Sequence, residues 1–160
     1  MMYCQMKRTV LVFFIMLFAI LFTVPLSAQT AAKLEAILAN PALNWSDAAI
    51  FILEASEKAV YSNPAEAFNF ALEKKWLPKK ASPTDTARLK GIALLLMGSF
   101  DQKGGIFYSL FKTPRYAYRE LVQSEVIRGN TDPDMTVSGQ ELLLMIGRIL
   151  SIKEQQAGKP

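Results

Sequence analysis

The chain has 160 residues, with 18 Lys and Arg against 14 Asp and Glu, one Cys and no His. That length holds one domain with a real core once a leader is set aside, and not two. Without His, and with its single Cys near the amino end, an exported product has no disulfide and is excluded from most zinc, haem and cysteine or histidine chemistry.

The amino end reads as a secretory signal. Lys7 and Arg8 precede an apolar run from Thr9 to Val24, followed by Pro25-Leu26-Ser27-Ala28-Gln29. A basic start, a hydrophobic core and small residues before a polar one are the features of such a signal. Residues 1–28 are therefore expected to be a signal peptide, and the product to reach the periplasm or cell envelope. Cleavage is placed after Ala28. Leu26 is larger than the residue usual three places before the cut; if it blocks cleavage, the segment stays as an inner-membrane anchor. The apolar run falls short of the roughly 20 residues that span a bilayer. No stable membrane insertion is expected once the signal is removed. Cys4 lies before the apolar run and leaves with it.

After residue 28 the charge is nearly balanced, at 16 basic against 14 acidic side chains. A nucleic-acid binder carries a basic stripe, whereas this part has only the local cluster Lys74-Lys75 and Lys79-Lys80, read as a solvated face. No nucleic-acid partner is expected.

Residues 29–62 read as a helical hairpin. Ala31 to Ala39 forms its first helix, and Asn40-Pro41-Ala42-Leu43-Asn44 a turn. Ser46 or Asp47 opens the second helix, which reaches about Val60, with Ala49, Ile50, Leu53 and Val60 on one face. Phe51 and Ile52 widen the stripe enough to imply burial on two sides. Trp45, at the junction, has the area to plug a helix–helix gap.

Residues 63–151 read as a duplicated helix-loop-helix unit with copies at about 63–98 and 113–148. A shift of 50 lays Asn63-Pro64-Ala65-Glu66-Ala67-Phe68 on Thr113-Pro114-Arg115-Tyr116-Ala117-Tyr118, Pro83 on Pro133 and Thr86 on Thr136. Such a repeat matters because one unit cannot bury its apolar face alone. Asn63 and Thr113 are N-caps with Pro at the first helical position, and Glu66 offers Asn63 a capping box. Ala67, Phe68, Ala71 and Leu72 recur at helical spacing, as do Ala117, Tyr118, Leu121 and Val122. Loops follow at about Trp76–Asp85 and Val126–Val137, each with residues poorly suited to a helix. The second helices run from about Asp85 to Gly98 and from Ser138, where Ser138 and Glu141 form a capping box. Ile92 to Met97 and Leu142 to Ile146 are apolar nearly all round, the mark of central helices. These two helices are expected to pack on each other as the spine. Between the copies, Gly104-Gly105 reverses the chain so that Ile106 to Phe111 packs back as a short helix. Nothing after the glycines fits a phosphate loop. Residues 152–160 read as a flexible tail. The expected fold is all-α: a single compact domain of about seven helices.

Three groups of residues bear on chemistry. Asp132, Asp134, Thr136 and Ser138 alternate, but a standard calcium loop counted from Asp132 would need Gly and Glu where Val137 and Leu143 stand. Asp132 and Asp134 are weak cation candidates only; turn bonds and helix capping are the favoured reading, since the first copy has Ser82, Thr84, Thr86 and Arg88 there. No metal or cofactor is expected. Asp101, Glu120, Asp132 and Asp134 could serve carboxylate-based hydrolysis, yet no spacing singles out a pair, and no Ser-Lys arrangement is evident. The densest aromatic stretch is Phe107 to Arg119. Within it Tyr108, Arg115, Tyr116 and Arg119 are expected nearer the surface, and Tyr and Arg are the residues that anchor interfaces and stack on sugars. The plainer reading, which the sequence favours, is that the Tyr rings seal the domain edge and Arg119 pairs with a nearby acid.

Trp76-Leu77-Pro78 through Leu96, and Glu125-Val126-Ile127-Arg128-Gly129 through Arg148, resemble S-layer homology modules. The resemblance covers about 90 residues. It rests on Ile127-Arg128-Gly129 in the loop and Ser138-Gly139-Gln140-Glu141 at the helix start. It implies helix-loop-helix units that dock an exported protein on cell-wall polymer. The chain departs from that pattern at Ser138, which aligns with Arg88, and the second copy lacks the usual Arg. The whole chain also resembles small uncharacterised exported helical proteins of spirochaetes, through Tyr116-Ala117-Tyr118-Arg119-Glu120-Leu121 and Thr131-Asp132-Pro133-Asp134. That resemblance implies location and fold class alone. The expected role is a non-enzymatic envelope protein with a protein partner. Cell-wall or glycan binding comes next, and a small carboxylate-based hydrolase last.

Overall fold

The computed structural model describes residues 26–129 and 131–158. The basic start and apolar run of the expected signal peptide lie outside the described residues. Among the described residues there are seven helices: α1 Leu26–Leu38, α2 Trp45–Ala55, α3 Pro64–Glu73, α4 Leu89–Ser99, α5 Ile106–Phe111, α6 Pro114–Gln123 and α7 Gly139–Ala157. They contain no sheet, only two isolated antiparallel bridges, Asn44–Thr86 and Arg88–Thr136. The chain divides between Ala36 and Ile37, and the described residues from Ile37 on form an all-α domain with one core.

Local chemistry sets the helix ends. Asn44 caps α2, its Oδ1 accepting the Asp47 N–H at 2.8 Å, and Asp47 places a negative charge in the first turn, where the helix dipole favours it. The helix stops at Ala55 rather than near Val60, because Glu57 turns into the left-handed region at φ 57° and the Lys58 N–H closes back on the Leu53 carbonyl. Val60 is consequently exposed instead of lining the inner face. Asn63 caps α3 through the Ala65 N–H at 2.9 Å, rather than through that of Glu66. The reciprocal capping box does form at α7, where Ser138 N–H donates to Glu141 Oε2 at 2.8 Å. That helix continues to Ala157, through most of the stretch expected to be a tail.

Several features recur at a spacing of 50 residues. Helices α3 and α6 begin at Pro64 and Pro114 and end at Glu73 and Gln123, while α4 and α7 begin at Leu89 and Gly139. Lys75 and Glu125 both have left-handed backbones, at φ 61° and 58°. In the loops, Asp85 N–H donates to the Ser82 carbonyl and Met135 N–H to the Asp132 carbonyl, both at 3.1 Å.

These loops explain why α4 starts at Leu89 and not at Asp85. The Pro83 and Asp85 carbonyls accept N–H groups of Ser46 and Trp45, and Ala87 N–H donates to the Leu43 carbonyl at 2.8 Å. Leu43 N–H in turn donates to the Val137 carbonyl at 2.9 Å. Residues 83–88 are therefore held as a turn followed by a short non-helical stretch against Leu43, Trp45 and Ser46, and a helix there would sacrifice those bonds.

Helix α4 is the central element: every residue but Lys90 and Gly98 is buried. Its one buried polar side chain, Ser99, is satisfied by donating to the Leu95 carbonyl at 2.7 Å. Each fully buried Leu or Ile on it contributes about 1.5–3 kcal/mol. By backbone approach α4 lies closest to α6 and then to α2, and α2 packs on α3. Helix α7 lies beside α4 less closely: Leu89 and Met145 border one cavity, and Lys153 Nζ stands 5.8 Å from the Phe100 ring centroid. Leu95 is fully buried, but Leu144 is 58% exposed. Helix α7 turns Leu142, Met145, Ile146 and Ile149 inward and leaves Leu144 and Leu150 outward. Its apolar run is wider than the face it buries.

Candidate interaction surface

The segment between α4 and α6 is built around Tyr108. Helix α5 has six residues, too few to be stable alone in water, and Tyr108 is its one buried side chain, at 7% exposure. Gly104 has no room for a side chain, since a Cβ there would lie 2.6 Å from the Tyr108 ring. Lys112, left-handed at φ 44°, ends α5 so that Pro114 can start α6. The expectation that Tyr108 faces outward is thus corrected: it is the anchor and not the contact. Burial, and then the neighbouring Glu120 charge, push its phenol up to about 12.

Anchoring Tyr108 turns the rest of α5 to solvent. Ile106 is 84% exposed, Phe107 61%, Leu110 70% and Phe111 53%. Tyr116 of α6 is half-buried between the two phenylalanines, with ring centroids 5.7 Å from Phe107 and 5.8 Å from Phe111, both stacked. Arg115 and Arg119 are exposed on the same helix, one turn apart, and among the described residues neither has a carboxylate within 4.0 Å. A shallow groove of about 510 Å³ brings Ile106, Phe107, Tyr116, Arg119 and Val122 together. Of the four residues expected at a contact surface, the fold joins Tyr116 and Arg119 there, sets Arg115 beside them, and removes Tyr108 to the interior. Sequence reasoning missed Ile106, Phe107, Leu110 and Phe111. Their apolar character, broken only by Ser109, was a signal for burial, and only the short helix with one inward residue reverses it.

A second feature was hidden by sequence distance. Lys74, Lys75, Lys79, Lys103 and Lys112 line one open cleft of about 1290 Å³, together with Trp76 and Phe111. The lysine pair at the end of α3 was legible; its convergence with the lysines flanking α5 was not.

The acidic candidates are spread apart. Asp132 Oδ1 accepts the Asp134 N–H at 2.9 Å, a turn bond, while the Asp134 carboxylate pairs with Lys90 and its carbonyl accepts from Arg88 at 3.0 Å. Asp101 pairs with Lys58. Glu120 faces Gly105, where a Cβ would stand 3.0 Å from its Oε1. Among the described residues, no three His, Cys, Asp or Glu side chains are grouped as a metal ion would need, and no helix is long and apolar enough to cross a membrane. Compared with protein-family models, curated proteins and solved structures, the chain matches none.

Proposed function

We propose that the chain is a non-enzymatic module of the cell envelope that docks a protein partner through α5 and α6. One observation carries this reading: four large apolar side chains of a single short helix stand in water, continuous with a stacked Tyr116 and rimmed by Arg115 and Arg119. Isolated apolar residues on a surface are ordinary, but a contiguous patch marks an interaction site. Aromatic side chains with Arg are the composition that dominates interface energetics. The envelope location follows from the sequence signal at the amino end. The scaffold is read as a duplicated helix-loop-helix unit, a reading supported by the paired boundaries, paired left-handed residues and paired loop bonds fifty residues apart.

A photo-crosslinking residue at Phe107, with a control at the exposed Glu154, tests the patch in native envelopes. The expected result is a protein adduct of defined mass at Phe107 only, lost when Tyr116→Ala and Arg119→Glu are combined in a protein that keeps its helical circular dichroism. Equal adducts at both sites, or unchanged retention of the double variant in envelope fractions, would overturn it.

The lysine-lined cleft supports a second reading, binding of an anionic wall polymer. Five ammonium groups with Trp76 and Phe111 beside them suit a chain of negative charges and flat sugar faces. Co-sedimentation with purified wall polymer that weakens with salt, and weakens further in a Lys74→Gln, Lys103→Gln variant, would favour it over the protein partner.

A further inference from the structure

We propose that a pocket beneath the 132–137 loop receives one aromatic side chain, flanked by acidic residues, from a protein partner. The site is separate from the α5–α6 patch and rests on the reading of the two halves as copies of one unit.

The first half shows what such a site holds. Trp45 opens α2, its N–H donating to the Asp85 carbonyl at 3.1 Å while Ser46 N–H donates to the Pro83 carbonyl at 3.1 Å. The indole lies over Gly91 and beside Pro78, so closely that a Cβ on Gly91 would collide with it. In the second half the same bonds are made by Leu89, to the Met135 carbonyl at 3.0 Å, and by Lys90, to the Pro133 carbonyl at 2.9 Å. Leu89 therefore stands where Trp45 stands, and it is too short to fill the same space. The counterparts of Gly91 and Pro78 are Glu141 and Arg128, and both border a cavity of about 180 Å³.

Size and charge narrow the occupant. The volume is below the roughly 300–1,000 Å³ of ordinary small-molecule sites, so it suits one ring rather than a cofactor. Leu89, Ile127, Val137 and Met145 supply apolar walls, and Met135 and Leu144 close the sides; methionines adapt to a ring edge. Arg128 and Arg148 also line the cavity. Arg128 donates to the Glu125 carbonyl at 3.1 Å and Arg148 to the Val126 carbonyl at 2.7 Å, which leaves each guanidinium further N–H donors. Arg128 already pairs with the Glu125 carboxylate at 3.8 Å, whereas among the described residues Arg148 has no carboxylate within 4.0 Å. The Glu141 carboxylate is occupied by Ser138, through its N–H at 2.8 Å and its hydroxyl at 2.9 Å. The ring's neighbours should therefore be acidic, and guanidinium groups beside a ring add cation–π attraction.

The probe is a capped tripeptide with tryptophan between two glutamates, followed by methyl NMR of Met135, Met145 and Leu144. Saturable shifts at these methyls are expected, with affinity about tenfold weaker in Arg148→Gln and no shifts from a tripeptide with tryptophan between two lysines. Leu89→Trp should fill the pocket from within and abolish the shifts. Leu144→Glu, at an exposed position, should abolish them by repulsion even if Leu89→Trp fails to fold. Phe107→Ser should leave them unchanged, which separates this site from the docking patch. No shifts at millimolar probe, shifts that persist in both pocket variants, or equal response to the lysine peptide would overturn the proposal. So would tighter binding of free indole-3-acetate than of the peptide, which points to a metabolite.

Discussion

The Trp45 indole occupies the space where a Cβ on Gly91 would stand. Helix α4 can approach the N-terminus of α2 this closely because its third residue has no side chain. Gly91→Ala should therefore cost about 1–3 kcal/mol, overpacking outweighing the better helix propensity. Gly147, in the interior of α7 with nothing within 4 Å of a built Cβ, is the contrast: Gly147→Ala should gain about 0.5–1 kcal/mol. Urea denaturation midpoints of the two variants should move in opposite directions.

Lys75 and Glu125 hold left-handed backbones just past the ends of α3 and α6. A side chain in that conformation is strained, and Gly is the residue that relieves it. Lys75→Gly and Glu125→Gly should each raise stability by about 0.5–1 kcal/mol, net of the entropy Gly adds to the unfolded chain. Gly129, at φ 88°, should respond in the reverse sense, with Gly129→Ala losing about 1 kcal/mol. Thermal melts of the three variants check both signs.

Tyr108 makes the fold sensitive to alkali. Its phenol is held up at about 12 by burial and then by the Glu120 charge, against 10.0 when free. The folded state keeps the proton after the unfolded state has begun to lose it. The stability this represents is whole below pH 10 and is lost as pH rises towards 12. Tyr108→Phe should flatten the fall in melting temperature over that window, and in the parent protein one tyrosine should ionise late in an ultraviolet titration.

Helix starts were legible because they depend on neighbours in sequence. Asn63 and Ser138 have side chains that satisfy free N–H groups two or three residues on, and the prolines at 64 and 114 preset the first turn. Asn44, read as part of a turn, caps α2 in the same way, so that helix begins at Trp45 and not at Ser46 or Asp47. The burial of α4 was legible for the same kind of reason, since a helix with almost no polar face has no alternative. The outward face of α5 was not legible. Ile106, Phe107, Leu110 and Phe111 are as apolar as the core, and their exposure follows from Tyr108 taking the one inward position.

The sequence by itself therefore determined the helical class, most helix starts and the burial of α4, because caps, prolines and periodicity act over a few residues. Tertiary structure alone decided that α6 approaches α4 more closely than α7 does, that Tyr108 is an anchor, and that five lysines share one cleft. Those outcomes depend on which apolar surfaces meet, and with more apolar surface than the core can bury, only the packed chain settles which part stays in water.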